Sequence, residues 1–370
     1  MNHKICCIFN IGAHYRAPIY SLMDKELECS FYFGDTVFTP IKTMDYSLLK
    51  GYKKTVKNKK IAKGWVWQSN VWQLIFKPYK YYIINSSPYY ASNWVILLLA
   101  KLSGKKVFAW THGIKGGETG KSKFLNKVFY KLCDTVLLYG EKSMRTMIKE
   151  GFNKNKLVPI YNSLYYDEQL EVRKKLVPSE IYSNHFKNDA PTLIYIGRIQ
   201  KSKKLDLLVK AVHLINKEER KCNLVFIGKE VEDNEIQSLV NELNITEQVW
   251  FYGSSYNETE IGELLYNAAV CVSPGPVGLT AIHAATYGLP IISNDDFYNQ
   301  MPEHEVIKEG ESGGFYKDGD FEDLCLKIND WIDSNPNKRQ KAENQLHRII
   351  DEKYNPHYQI KVLKQVLNYS

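Results

Sequence analysis

The residues best suited to hold an anion fall in one run, Tyr195-Ile196-Gly197-Arg198-Ile199-Gln200-Lys201-Ser202-Lys203-Lys204-Leu205-Asp206. An apolar segment ends at Gly197, Arg198 follows at once, and Lys203 comes where helical patterning begins. Arginine offers a planar fork and lysine a compact charge, and both suit a diphosphate. The start of a helix adds free N–H groups and a favourable dipole. Taken alone, the run is read equally well as a solvated basic turn.

A second run is Cys271-Val272-Ser273-Pro274-Gly275-Pro276-Val277-Gly278-Leu279-Thr280, continuing through His283 to Tyr287-Gly288-Leu289-Pro290. An apolar segment breaks at Pro and Gly, a tight loop follows, and a helix rich in small residues leads to the next apolar segment. Small residues let backbone approach a ligand closely. The plainer alternative is a β–α turn packed tightly for structural reasons.

The elements that must position these runs follow from periodicity. Short β-rich segments alternate with helical patterns. Strands are predicted at Ile5–Phe9, Cys29–Phe33, Tyr81–Ile84, Lys106–Trp110, Thr135–Tyr139 and Leu157–Ile160. A second series follows at Thr192–Ile196, Asn223–Ile227, Gln248–Tyr252, Val270–Ser273 and Pro290–Ser293. Such alternation implies parallel sheets covered by helices on both faces. The polar stretch Asp167–Ala190 separates the series and reads as a linker. The expectation is two α/β, Rossmann-like domains facing across a cleft: residues 1–168, a linker at 169–190, and residues 191–350. A terminal helix over 351–370 is expected to return to the first domain. Ligands of open α/β sheets sit at the carboxyl ends of the strands, where both runs fall.

Together the two runs resemble the donor-binding half of GT-B glycosyltransferases, specifically the retaining enzymes of family four. The first family motif, G-R-x4-K-G-L-D, is matched by Gly197, Arg198, Lys203, Leu205 and Asp206, with Lys204 where glycine is usual. The second, E-G-F-G-L-x3-E-A-x3-G-L-P, is matched by Gly278, Leu279, Ala284, Gly288, Leu289 and Pro290. The resemblance covers about residues 155–320 and implies that Arg198 and Lys203 neutralise a nucleotide diphosphate. It also implies donor contacts from Gly197, Gly275, Val277, Gly278, Leu279, Thr280 and His283. The family's two glutamates are Gly275 and His283 here. A histidine can still reach a ribose hydroxyl through one ring nitrogen, whereas Gly275 offers a sugar only its backbone N–H. Glu303 and Glu305 are candidates for a replacement carboxylate, with solvated loop residues the plainer reading.

In the first half the resemblance is looser. Asn10-Ile11-Gly12-Ala13-His14-Tyr15-Arg16 follows the first strand, where the family places a loop that closes on substrate. Gly12, His14, Tyr15 and Arg16 are therefore the expected acceptor-side residues. Trp110-Thr111-His112-Gly113 resembles the W-T-H-G of bacterial polysaccharide members, which implies that His112 contacts the transferred sugar. A satisfied histidine in a β–α loop is the alternative. Asp318-Gly319-Asp320 fits a metal-binding D-x-D pattern, but a turn with Asp320 capping the next helix accounts for it. No metal or resident cofactor is expected.

Composition narrows the classes further. The chain has 370 residues, 44% of them hydrophobic, enough for a sizeable core. Its seven cysteines are odd in number and contain no C-x-x-C pair, which argues against a disulfide framework or zinc site. Ile5–Phe9 is too short for a secretory apolar core, and no apolar run is long enough to span a bilayer. The expectation is a cytoplasmic protein, or one peripheral on the inner face of the membrane. The net charge of +8 is unevenly spread: residues 1–170 carry 26 basic and 11 acidic side chains, residues 171–370 carry 23 and 30. Lys50, Lys53, Lys54, Lys57, Lys59, Lys60 and Lys63 are followed by Trp65, Trp67 and Trp72. This fits an anionic membrane surface, with a mobile solvated loop as the alternative. Single-stranded nucleic acid ranks last because no RNA-binding motif accompanies the patch.

The resulting expectation is transfer of a sugar from a nucleotide-diphosphate sugar, UDP favoured over GDP, to a saccharide acceptor. That acceptor is expected to be an oligosaccharide or lipid-linked, in bacterial capsule, O-antigen or exopolysaccharide synthesis. Rival readings are a non-catalytic sugar-nucleotide-binding relative and a GT-B epimerase or phosphorylase. A dinucleotide-dependent oxidoreductase lacks support because no G-x-G-x-x-G follows a predicted strand.

Overall fold

The computed structural model describes residues 5–36, 41–62, 64–114, 118, 120–218, 221–231 and 235–369. The chain divides into two compact units, Met1–Tyr165 with Lys353–Ser370, and Tyr166–Glu352.

In the first unit the strands are β1 (Ile5–Phe9), β2 (Ser30–Gly34), β3 (Tyr52–Val56), β4 (Asn58–Ala62), β5 (Trp65–Gln68), β6 (Tyr81–Asn85), β7 (Lys106–Thr111), β8 (Thr135–Leu138) and β9 (Leu157–Pro159). Seven of them form one sheet in the order β3-β2-β1-β6-β7-β8-β9, parallel throughout. Every residue of β1 is buried, as a strand covered on both faces requires. Cys6 and Ile8 face a core with Ile96, Leu97 and Phe129, while Ile5, Cys7 and Phe9 face one with Ile19, Met23 and Leu363. The second of these cores is closed by helix Pro356–Leu367, which packs on helix Ala17–Leu27. Asn355 caps the terminal helix by accepting from Tyr358 N–H, and buried Gln359 ties it to Ser163 Oγ at 2.6 Å and to the Tyr161 carbonyl.

The lysine run is not a loop. Tyr52–Val56 extends the sheet as its edge strand, and β4 pairs antiparallel with β5. Lys53, Lys54, Lys57, Lys59 and Lys60 are exposed, while Trp65 and Trp67 are half-buried; Lys63 lies outside the described residues. Edge strands commonly carry lysines, which deter pairing with other chains.

The second unit holds β10 (Thr192–Ile196), β11 (Asn223–Ile227), β12 (Val249–Gly253), β13 (Val270–Ser273), β14 (Ile291–Asn294) and β15 (Gly313–Tyr316). They form a parallel sheet in the order β12-β11-β10-β13-β14-β15. Leu193, Tyr195, Leu224, Phe226, Val270 and Val272 line one core with helices Leu205–Lys217 and Phe321–Ile332. The expected linker is corrected here: 169–190 is folded into this unit and contains helix Ile181–Phe186, after helix Tyr166–Arg173. Its polar composition conceals anchors, since Gln169, Tyr182 and Phe186 are buried and the Tyr182 hydroxyl donates to the Leu264 carbonyl.

Candidate active site

In the second sheet the chain runs outward from β10 through β11 and β12, then returns to β13 on the other side. The order therefore reverses between β10 and β13, and ligands of open α/β sheets occupy the crevice at such a point. The Gly197–Lys204 and Pro274–Gly278 loops leave the carboxyl ends of these two strands. Thr280 Oγ1 donates to the Ile196 carbonyl at 2.6 Å, fixing the start of helix Leu279–Thr286 against the end of β10. No side chain caps that helix at Gly278; the Ala281 N–H donates to the Gly278 carbonyl at 2.9 Å.

Backbone geometry explains the glycines. Gly197 has φ +147°, and a Cβ there would lie 3.0 Å from Tyr195 Oη and 3.3 Å from Thr280 Oγ1. Gly275 is buried, and a Cβ would lie 2.4 Å from the Ser202 carbonyl oxygen and 2.7 Å from Lys203 Cα. Both obstacles are main chain, so the site has no room for the family's glutamate at this position. The expected sugar contact through Gly275 N–H is also corrected: that group donates to the Lys203 carbonyl at 2.8 Å. Val277 N–H likewise donates to Gln300 Oε1 at 2.8 Å, so Val277 shapes the loop. Asn294 Nδ2 and the Tyr316 hydroxyl hold the loop from below through the Pro274 carbonyl.

The cations sit on this frame. Arg198 is exposed, and its carbonyl accepts from the Tyr195 hydroxyl at 2.9 Å. Lys203 is largely enclosed, and its Nζ donates to the Pro276 carbonyl at 2.6 Å. Burial, reinforced by the charge of Arg198 and opposed by that of Glu303, depresses the Lys203 ammonium to about 8. Glu303 is thus not a solvated loop residue: it is 1% exposed, in the turn Pro302–Val306. Glu305 is half-buried. The family's glycine position holds Lys204 at φ +50°, with its Nζ 2.6 Å from both Asp318 carboxylate oxygens. Asp320 accepts from Asp323 N–H as the helix cap, so the D-x-D run is built into a turn, a cap and an ion pair.

His283 lies on helix Leu279–Thr286 and its Nε2 is 3.0 Å from Glu258 Oε2. Tyr287 Oη and Gln169 Nε2 donate to the same carboxylate oxygen. Burial works to raise the Glu258 carboxyl, yet His283, Gln169 and Tyr287 outweigh it and hold the group below its ordinary value. Glu258, Gln300 and Asn294 carried no motif signal. Each is distant in sequence from the residue it serves and becomes visible only through the fold.

In the first unit the sheet order reverses between β1 and β6, and a cavity of about 470 Å³ opens at the carboxyl ends of β1, β6, β7 and β8. Tyr15, Arg16 and His112 line it together, with Trp110 and Tyr139. His112 is exposed, its ring centroid 4.6 Å from that of Tyr139. Gly12 and His14 are not among the residues that line it. The Gly12 N–H donates to Tyr46 Oη, and a Cβ there would lie 2.4 Å from the Tyr46 ring. His14 is bound through Nδ1 and its own N–H to the Lys42 carbonyl, and burial lowers its pKa.

Residues 178–348 match the family described as Glycosyl transferases group 1. The chain is 26% identical over 195 residues to an uncharacterized 41.2 kDa protein in the cps region of Klebsiella pneumoniae, 51% of this chain and 49% of that one. It is 28% identical over 174 residues to the uncharacterized glycosyltransferase MJ1059 of Methanocaldococcus jannaschii, 46% of this chain and 41% of that one. Both matches thus span under half of the relative's length. Anabaena Alr3699/HepE, solved in complex with UDP, superposes with a TM-score of 0.75 at 14% identity, covering 99% of this chain and 100% of that one. The fold is therefore GT-B, and the family match falls on the second unit of that fold. Among the described residues no helix is long and apolar enough to cross a membrane.

Proposed function

We propose that this protein is a glycosyltransferase of the retaining family-four kind, moving a sugar from a nucleotide-diphosphate sugar to a saccharide acceptor. The observation that carries the reading is the convergence of Arg198, Lys203 and an uncapped helix start on one strand-order reversal, between β10 and β13. Arg198 and Lys203 neutralise the diphosphate and stabilise the charge that grows on it as the glycosidic C–O bond breaks. The leaving phosphate itself takes the acceptor's proton, a route that calls for no nucleophilic carboxylate. His283 reaches the ribose through the ring nitrogen not engaged by Glu258, and His112 contacts the transferred sugar.

UDP is favoured as the nucleotide because a protein of the same fold is solved with it. A role in bacterial surface-polysaccharide assembly, on a lipid-linked or oligosaccharide acceptor, is supported by the relative from a cps region. The exposed lysines of 53–60 suit an enzyme working at an anionic inner-membrane surface.

The test is nucleotide release from a panel of UDP- and GDP-sugars, with Arg198→Ala as the control. Release from one donor, lost in the variant, is the expected result. Release from none, or an unaffected variant, would overturn the assignment. UDP binding without turnover in the presence of acceptor would identify a non-catalytic relative, a reading that the absence of space for a carboxylate at Gly275 favours.

A further inference from the structure

The cavity of the first unit has a chemistry that the donor reading does not use. Its lining is aromatic and hydroxyl-rich, with Tyr15, Tyr89, Tyr90, Trp110 and Tyr139, and among the described residues includes no aspartate or glutamate. Among the described residues one permanent charge lines it, Arg16. The guanidinium carbon lies 5.1 Å from the ring centroids of both Trp110 and Tyr139, within cation–π range of each. Tyr15 and Tyr20 are the groups that meet its charge, and no ion pair joins it to a carboxylate among the described residues.

Two further features point the same way. Trp110 is 2% exposed and its Nε1 has no hydrogen-bond partner among the described residues. Helix Ala91–Leu102 begins at the cavity, beside Tyr89 and Tyr90, and carries no side-chain cap. Arg16 is half-buried, and a partly enclosed arginine without a carboxylate partner offers its charge to an incoming anion. Aromatic faces bind the apolar faces of sugar rings, and a guanidinium edge matches a carboxylate or phosphate in its plane.

We infer that this cavity receives a saccharide bearing an anionic substituent, phosphoryl or carboxylate, with Arg16 as its charge partner. That this saccharide is the acceptor rests on the glycosyltransferase reading; the anion preference of the cavity does not.

The test titrates the full chain with glucose, glucuronic acid and glucose 1-phosphate, following tryptophan fluorescence, and measures UDP binding separately. The wild type is expected to bind the two anionic sugars about tenfold more tightly than glucose. Arg16→Gln abolishes that preference and leaves UDP affinity unchanged. Preference for the phosphate alone identifies a phosphorylated acceptor such as a lipid-linked one, and preference for the carboxylate a uronic acid. No preference in the wild type, or one surviving in Arg16→Gln, overturns the inference. An equal loss of UDP affinity also overturns it, by assigning Arg16 to the donor diphosphate. If circular dichroism shows Arg16→Gln unfolded, Arg16→Lys, which keeps the charge without the planar fork, is expected to retain part of the preference. A wild type that prefers anionic sugars yet binds no UDP would sink the proposed function and leave this cavity's assignment standing.

Discussion

His283 Nε2 lies 3.0 Å from Glu258 Oε2, and both side chains are nearly enclosed. The histidine stands where the family has a carboxylate, and the carboxylate it meets arrives from a different helix, Glu258–Asn267. Glu258 has its pKa depressed, so its contribution to stability is complete above its ordinary value of 4.5 and is lost as pH falls through the folded value. Glu258→Gln is expected to lower stability by about 1–3 kcal/mol at neutral pH. It should also flatten the acid limb of the stability profile. Urea denaturation between pH 3 and pH 7, described by about one unit per step, checks both expectations. An unchanged acid limb would remove Glu258 from the account.

Gly275 separates a packing origin from a chemical one. Because a Cβ would press on the Ser202 carbonyl and Lys203 Cα, even Gly275→Ala must displace the loop that carries Lys203. Overpacking of this kind costs about 1–3 kcal/mol. Gly275→Ala should therefore melt lower and bind UDP more weakly, and Gly275→Glu should be worse on both counts. Calorimetry on the two variants checks this; a glutamate variant that gained activity would show that the loop yields.

The alternation of apolar strands made both sheets legible. Ile5–Phe9, Thr192–Ile196, Asn223–Ile227 and Val270–Ser273 are strands over the residues predicted, because strands buried on both faces are apolar throughout. Tyr52–Val56 was hidden because an edge strand with exposed Lys53 and Lys54 lacks that signature. Gly313–Tyr316 was hidden because strand propensity disfavours glycine, although a Cβ at Gly313 would lie 1.9 Å from the Ile291 carbonyl oxygen. The phosphate-suited cations were legible as a local motif. Their surroundings were not, since Gln300 and Glu258 act across tertiary contacts that no spacing rule encodes.

Lys204 combines a strained backbone with an ion pair. At φ +50° a non-glycine residue costs about 1 kcal/mol, while the half-exposed pair with Asp318 returns about as much at most. Lys204→Gly removes both and should leave stability within about 1 kcal/mol of the wild type. Lys204→Met keeps the strain without the pair and should be the least stable of the three. Thermal melts of the three proteins check the order; Lys204→Met melting above Lys204→Gly would mean that the backbone is unstrained.

Lys203 sets the pH range over which a diphosphate can be held. Its ammonium titrates near 8 because the loop encloses it and Arg198 stands nearby. The cation that attracts phosphate is therefore present below that pH and lost above it, and a bound dianion pulls the proton back on. UDP affinity is expected to be level from pH 6 to pH 7 and to fall from about pH 8 upward, with proton uptake on binding in that upper range. Lys203→Ala should bind more weakly at every pH and lose the decline, because the group that titrates is gone. Arg198→Ala should bind more weakly but keep the decline, displaced to higher pH by removal of the neighbouring charge. Isothermal titration in two buffers of different ionisation enthalpy measures affinity and proton uptake together. A decline that survives in Lys203→Ala would place the titrating group elsewhere.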